Sequence, residues 1–168
     1  RILMITLLIA TLCIVAVITG IIIYYNSNTV LIKTNPNQVF GFKTSIELTG
    51  LPIIVFYQNN KKYNFLLDTG SNVSYINKSS NLQRSEVLST DSFLSASGEE
   101  TFCEIARIIL CHEDKEYNYD VRVADLNEAF RNIKESYGVT LSGIIGCDFM
   151  EKYKYCLDFK EMVAYIRK

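Results

Sequence analysis

Phe65-Leu66-Leu67-Asp68-Thr69-Gly70-Ser71 runs an apolar strand into a carboxylate and then directly into a turn. A strand end is a rigid mount, so Asp68 is presented from a fixed, partly buried position where its ionisation responds to its surroundings. Gly70 permits a sharp turn and the close approach of another group. Alone, Asp-Thr-Gly also reads as an Asx- or ST-type turn that merely closes a strand. A second motif downstream makes the pattern specific: Leu141-Ser142-Gly143-Ile144-Ile145-Gly146-Cys147-Asp148-Phe149-Met150. Here two isoleucines flanked by glycines lead into a short helix, with Asp148 as its expected N-cap.

Around these motifs the chain reads mostly as strands. The sequence predicts a first strand over residues 39–48, then β-rich runs over 51–57 and 63–67. Between the last two, Asn59-Asn60 tolerates positive φ and marks a hairpin. Further strands are predicted over 73–76, 87–94, 102–111 and 117–124, the last two joined by a charged turn over 112–116. Residues 126–137 break the pattern, because Leu126, Ala129, Phe130 and Ile133 fall on one helical face. Asp125 is the expected N-cap of that helix and Gly138 its stop. A short helix over 148–155 and a final strand over 156–166 complete the reading. The expected fold is mainly β, a small closed β-barrel with one or two short helices.

The whole chain has 168 residues, 49% of them hydrophobic and 21% charged, with a net charge of -1. That length holds one domain and an appended segment, not two full cores. Seventeen basic against eighteen acidic residues give no electrostatic case for nucleic-acid binding. Residues 2–25 carry no charge and match the length of a transmembrane helix, with Tyr24 and Tyr25 where an interfacial aromatic belt would lie. A cleaved signal peptide is the rival reading. Its apolar core should be about half as long, and Ile21-Ile22-Ile23 before two tyrosines is a poor cleavage site. The organisation read from the sequence is therefore an anchor over 1–25, a polar linker over 26–38 and one domain over 39–168. A short N-terminus inside and an exported domain is the expected orientation, giving a single-pass membrane protein with its domain on the periplasmic or extracellular side.

Cys13 lies in the apolar segment, while Cys103, Cys111, Cys147 and Cys156 lie in the domain. Four cysteines allow two bridges in three pairings, but buried free thiols are the simpler reading. No CxxC occurs and the single histidine, His112, simply follows Cys111, so the usual zinc spacings are missing. No metal or other cofactor is expected.

Together, LLDTGS at Leu66 to Ser71 and IIG at Ile144 to Gly146 resemble the retropepsin-like aspartic proteases. Those single-domain enzymes carry an apolar strand ending in Asp-Thr/Ser-Gly, a flap hairpin, and an apolar-apolar-Gly motif before a C-terminal helix. The tail GCDFMEKYKYCLDF, Gly146 to Phe159, is similar to that of the DNA-damage-inducible relatives and of bacterial membrane-anchored aspartyl proteases. The resemblance spans about residues 51–166, with 126–137 looking like an insertion. Viral members often have Arg where this chain has Cys147, so their dimer-supporting ion pair is not implied.

The resemblance implies a membrane-tethered aspartic endopeptidase acting on a peptide or protein substrate. Asp68 would be the catalytic carboxylate, with Thr69 locking two such loops together and Gly70 letting them pack. The chemistry needs two carboxylates about 3 Å apart sharing a proton. Only one Asp-Thr-Gly occurs, so a homodimer is required. Ser71 would hydrogen-bond near the carboxylates or line the substrate cleft, which Ile144 and Ile145 would also line. Residues 94–99, with Ala96, Ser97 and Gly98 at their centre, would form the flap, binding an extended peptide as an added strand; an ordinary polar turn is the plainer reading. Two Asn-x-Ser sequons, at Asn72 and Asn77, directly follow the catalytic loop, where a glycan would obstruct it. Two other readings keep no chemistry: a membrane-anchored peptide-binding module, and a structural envelope domain in which Asp68 only closes a turn.

Overall fold

The computed structural model describes residues 17–19, 39–94 and 100–166. By its contacts the chain divides into two units, 1–33 and 34–168. Of the first, the described residues 17–19 are helical. The expected anchor over 1–25 otherwise lies outside the described residues, as do the linker and residues 95–99 of the expected flap. Among the described residues no helix is long and apolar enough to cross a membrane.

The second unit is mainly β, with ten strands and three helices among the described residues. In chain order these are β1 (Val39–Gly41), α1 (Lys43–Thr49), β2 (Ile53–Gln58), β3 (Lys61–Leu67), β4 (Tyr75–Asn77), β5 (Arg84–Leu94), β6 (Glu100–His112) and β7 (Lys115–Ala124). There follow α2 (Asn127–Tyr137), β8 (Leu141–Ile145), α3 (Cys147–Tyr153), β9 (Tyr155–Asp158) and β10 (Val163–Ile166). Six strands close a barrel in the order β2-β3-β8-β4-β7-β6, with β6 returning to β2 at Cys111 and Tyr57. Strand β5 pairs with β6 alone, outside the ring. A separate antiparallel sheet, β1-β10-β9, joins the two ends of the domain.

The β2–β3 hairpin turns on Asn59 and Asn60, at φ of 51° and 62°, the paired positive values of a two-residue turn. Two expected strands are corrected. Alternation over 39–48 stops at Phe42, which is buried like Phe40. Beyond it the spacing of Phe42 and Ile46 is helical. The Ser45 hydroxyl donates to the Phe42 carbonyl at 2.8 Å and accepts the Ile53 N–H at 2.9 Å, and Gly50 ends α1 at a φ of 73°. The single strand expected over 156–166 is a hairpin instead. Asp158 Oδ1 accepts the N–H groups of Lys160 and Glu161 at 2.9 and 3.0 Å, an Asx turn that folds β10 back onto β9.

Aromatic rings dominate the barrel interior. Phe56 is fully buried and meets Phe65, Tyr117 and Phe149 edge to face, with centroids 5.4, 5.5 and 5.8 Å away. The Tyr117 and Tyr155 hydroxyls satisfy each other at 2.6 Å inside this cluster. Helix α2 covers a smaller apolar group on the outer face of β3 and β8. Phe130 is buried there and Leu126 and Ile133 are partly so, with Ile53, Leu66, Leu141 and Ile144 as neighbours. Ala129, expected on that face, is exposed. Asp125 stands one residue before the observed cap, Leu126, and accepts the Asn127 N–H at 3.0 Å.

Candidate active site

Strand β3 runs parallel to β8, with Leu66 beside Ile144 and Leu67 beside Ile145. The pairing extends past the strand, because the Asp68 N–H donates to the Ile145 carbonyl at 3.0 Å. Strand β8 lies between β3 and β4, so the chain from Asp68 to Ser74 crosses over the end of β8. That crossing explains the glycine of the IIG motif. A Cβ on Gly146 would stand 2.6 Å from the Val73 carbonyl oxygen and 2.8 Å from that of Ser71, both backbone atoms that cannot swing aside. Across the same gap the Cys147 N–H donates to the Ser71 carbonyl at 2.9 Å and the Asp148 N–H to the Asn72 carbonyl at 3.2 Å.

Asp68 is half-buried and its Oδ1 accepts the Gly70 N–H at 2.9 Å. The Ser71 N–H closes the turn on the Asp68 carbonyl at 3.2 Å. Thr69 and Gly70 are exposed at the tip, where a second molecule can reach them. The Cys147 thiol donates to the Thr69 carbonyl at 3.3 Å. Ser71 turns its hydroxyl to the Val73 carbonyl at 2.7 Å, so in this chain it stiffens its own loop.

Beneath the turn lies a buried polar knot that sequence reasoning missed. Ser74 is 1% exposed, and its N–H and Oγ donate to the two carboxylate oxygens of Asp148 at 2.9 and 2.7 Å. The same Ser74 Oγ accepts the Gly146 N–H at 2.9 Å. Asp148 is therefore not the N-cap of α3, which is Gly146, but sits in its first turn and binds across to β4's approach. Its Oδ1 also accepts the Phe149 N–H at 2.8 Å, as a carboxylate at a helix start does. Burial, and then a hydrogen bond to Asp148, push the Tyr119 hydroxyl well above the ordinary tyrosine range. Tyr119 thus stays a neutral member of the knot.

Cross-strand register aligns Leu66, Ile144, Tyr75, Arg122, Ile105 and Ser89 side by side over six strands. By strand alternation this row shares its face with Asp68, opposite the barrel core. Of the two isoleucines expected in the cleft, Ile144 faces this way and lines a cavity of about 500 Å³ with Tyr75, Phe102, Cys103 and Leu126. Ile145 points inward, is 1% exposed and belongs to the core. Ala96, Ser97 and Gly98 fall outside the described residues. A groove of about 740 Å³ between α2 and residues 77–80 contains none of the expected site residues.

Both ring nitrogens of His112 face backbone carbonyls, those of Val55 and Val39 at 3.0 and 3.1 Å. Cys103, Cys111, Cys147 and Cys156 are free. Among the described residues no group of three or more His, Cys, Asp or Glu side chains could hold a metal ion. Of the two sequons, Asn72 is exposed. Asn77 is 5% exposed and its side chain is spent on Asn127 Oδ1 and the Leu126 N–H, at 3.0 and 3.1 Å, so a glycan does not fit there. No protein-family model matches this chain and no curated protein is significantly similar to it, so the site is read from its own chemistry.

Proposed function

We propose that this chain is one half of a retropepsin-type aspartic endopeptidase, tethered to a membrane by residues 1–25 with its domain on the exported side. The observation that carries the reading is the mount of Asp68. A carboxylate stands at a strand end, oriented by the Gly70 N–H, in a turn whose exposed tip is braced from below by β8 and α3. Two such turns meeting about a two-fold axis would bring Asp68 and its mate together.

At that separation the pair shares one proton, since two adjacent carboxylates cannot both ionise. The ionised member takes a proton from a water as its oxygen attacks the scissile carbonyl. The protonated member gives its proton to the carbonyl oxygen, and collapse of the tetrahedral adduct breaks the C–N bond as the amine is protonated. Thr69 at the exposed tip would hold the two turns together. Ile144, Tyr75 and Phe102 offer apolar walls for a substrate side chain, and an extended peptide would add as a strand along the β5–β6 hairpin.

The test is cleavage of an apolar peptide library at pH 4 to 6 by the full chain and by Asp68→Asn. Cleavage by the first and none by the second is expected. Peptide binding with cleavage by neither would replace the enzyme with a binding module of the same fold. A monomer that neither binds nor cleaves would leave a structural domain.

A further inference from the structure

The β5–β6 hairpin is held in two different ways along its length. The β6–β7 ladder runs from His112 and Lys115 to Glu104 and Val123, where it ends. Beyond that point β6 pairs only with β5, through Asp91 with Cys103, Ser92 with Phe102, Phe93 with Thr101 and Leu94 with Glu100. Asp91 and Cys103 are thus the first pair of an arm that no third strand supports. This is where one side chain reaches back. Arg122, on β7, passes over β6 and donates from Nη2 and Nε to Asp91 Oδ2 at 2.5 and 3.2 Å. It spans two strand spacings, about 10 Å, the reach of an arginine meeting an aspartate.

Two ion pairs stand at the root of the arm: Arg84 binds Glu104 at 2.8 Å between β5 and β6, and Arg122–Asp91 is the one that ties the arm to β7. Cys103, 3% exposed, lies under the guanidinium on β6, and burial keeps its thiol neutral. Tyr75 flanks Arg122 on β4. Asp91 Oδ1 accepts the N–H of Ser92, which fixes the carboxylate in the arm's own backbone. The pair is partly sheltered, with the Arg122 side chain 23% exposed and that of Asp91 38%. Inside the ladder another arginine does a different job. Arg107 binds Asp120 and Glu86, tying β6 to strands already paired with it.

Phe102 and Cys103 of the arm and Tyr75 and Ile144 of the barrel line the same 500 Å³ cavity. The angle of the arm therefore sets the width of the pocket. We propose that Arg122 and Asp91 are a positioning pair for the proposed proteolysis, a clamp that fixes the arm over the Asp68 face and so sets the size of the substrate side-chain pocket. The inference rests on the proteolytic reading for its consequence, although the clamp itself is a property of the fold.

The test uses the full chain in detergent micelles, with amide hydrogen exchange read alongside peptide cleavage. Asp91→Asn and Arg122→Gln should each speed exchange at arm residues 91–94 and 100–103 about two- to fivefold, the range of a half-sheltered ion pair. Exchange in the β2–β3 hairpin should not move. Asp91→Glu, which keeps the carboxylate, should restore slow exchange, and Glu86→Gln, inside the ladder, should leave the arm as it is. In the same variants KM should rise by a similar factor with kcat changed less. Unchanged arm exchange, or an unchanged KM in an enzyme that cleaves, would overturn the clamp. Faster arm exchange in a chain that cleaves nothing would overturn the proteolytic reading instead and leave the clamp standing.

Discussion

The turn that carries Asp68 and the arm of the β5–β6 hairpin face the same side of the barrel, yet they are built on opposite plans. The turn is tied down from several directions, to Ile145 of β8 by the Asp68 N–H, to α3 through the Ser71 and Asn72 carbonyls, and to the Ser74–Asp148 knot below. The arm leaves the barrel at Glu104, and among the described residues Arg122–Asp91 is the ion pair that ties it to β7, while Arg84–Glu104 links only β5 and β6. On the proposed reading, the many ties would hold the carboxylate in place, and the more lightly tied arm would admit substrates of varying shape. The two regions should therefore fail differently when altered.

The largest effect is expected from Asp68→Asn, which should lower cleavage at least about a thousandfold while leaving the thermal midpoint nearly unchanged. Measuring both on one preparation separates lost chemistry from lost fold. Next comes Gly146→Ala. Its methyl would overlap two backbone carbonyls, so an overpacking cost of about 1–3 kcal/mol is expected in denaturant unfolding. A loss of the same order, about 1–3 kcal/mol, should follow Ser74→Ala, which strands the Gly146 N–H and removes a donor from Asp148. If Ser74→Ala were neutral, the knot would not be what braces the turn.

The smallest effect concerns the arm and pH. Hydrogen bonding to Arg122 holds the Asp91 carboxyl below the ordinary carboxylate range, and Arg107 does the same to Asp120. Because the folded-state values are depressed, the stabilisation is present above the ordinary value of about 4 and is lost only as pH falls through the lowered ones. Arm protection, taken relative to the intrinsic amide exchange rate at each pH, should thus stay constant across pH 4 to 6 and fall below that window in the native chain. In Asp91→Asn the acid-side change should be blunted. A native arm that loosens between pH 6 and 5 would contradict the assignment.

Much of the rigid region was legible because its signals are local. Phe65 to Leu67 is an apolar run that ends in Asp68 and a turn, Asn59-Asn60 specifies its own hairpin, and the glycine-flanked isoleucines of the second motif mark a tight connection from strand to helix. What escaped is non-local. Ser74 and Asp148 are 74 residues apart, and neither alone differs from a polar loop residue or a helix cap. Arg122 reads as the outward residue of an amphipathic strand until β5 places Asp91 beside it. The two misread strands failed for a nearer reason: Phe42 and Asp158 each switch the chain's direction through side-chain and capping bonds that hydrophobic alternation does not register.

The central claim is that one chain supplies half a site. It is tested most directly by mixing the native chain with a threefold excess of Asp68→Asn under conditions where subunits exchange. If the site needs two aspartates, mixed pairs are dead and activity per native chain should fall to about a quarter, the fraction still paired with another native chain. Activity that stays constant as the variant is added would show that a single Asp68 suffices, and would contradict the account.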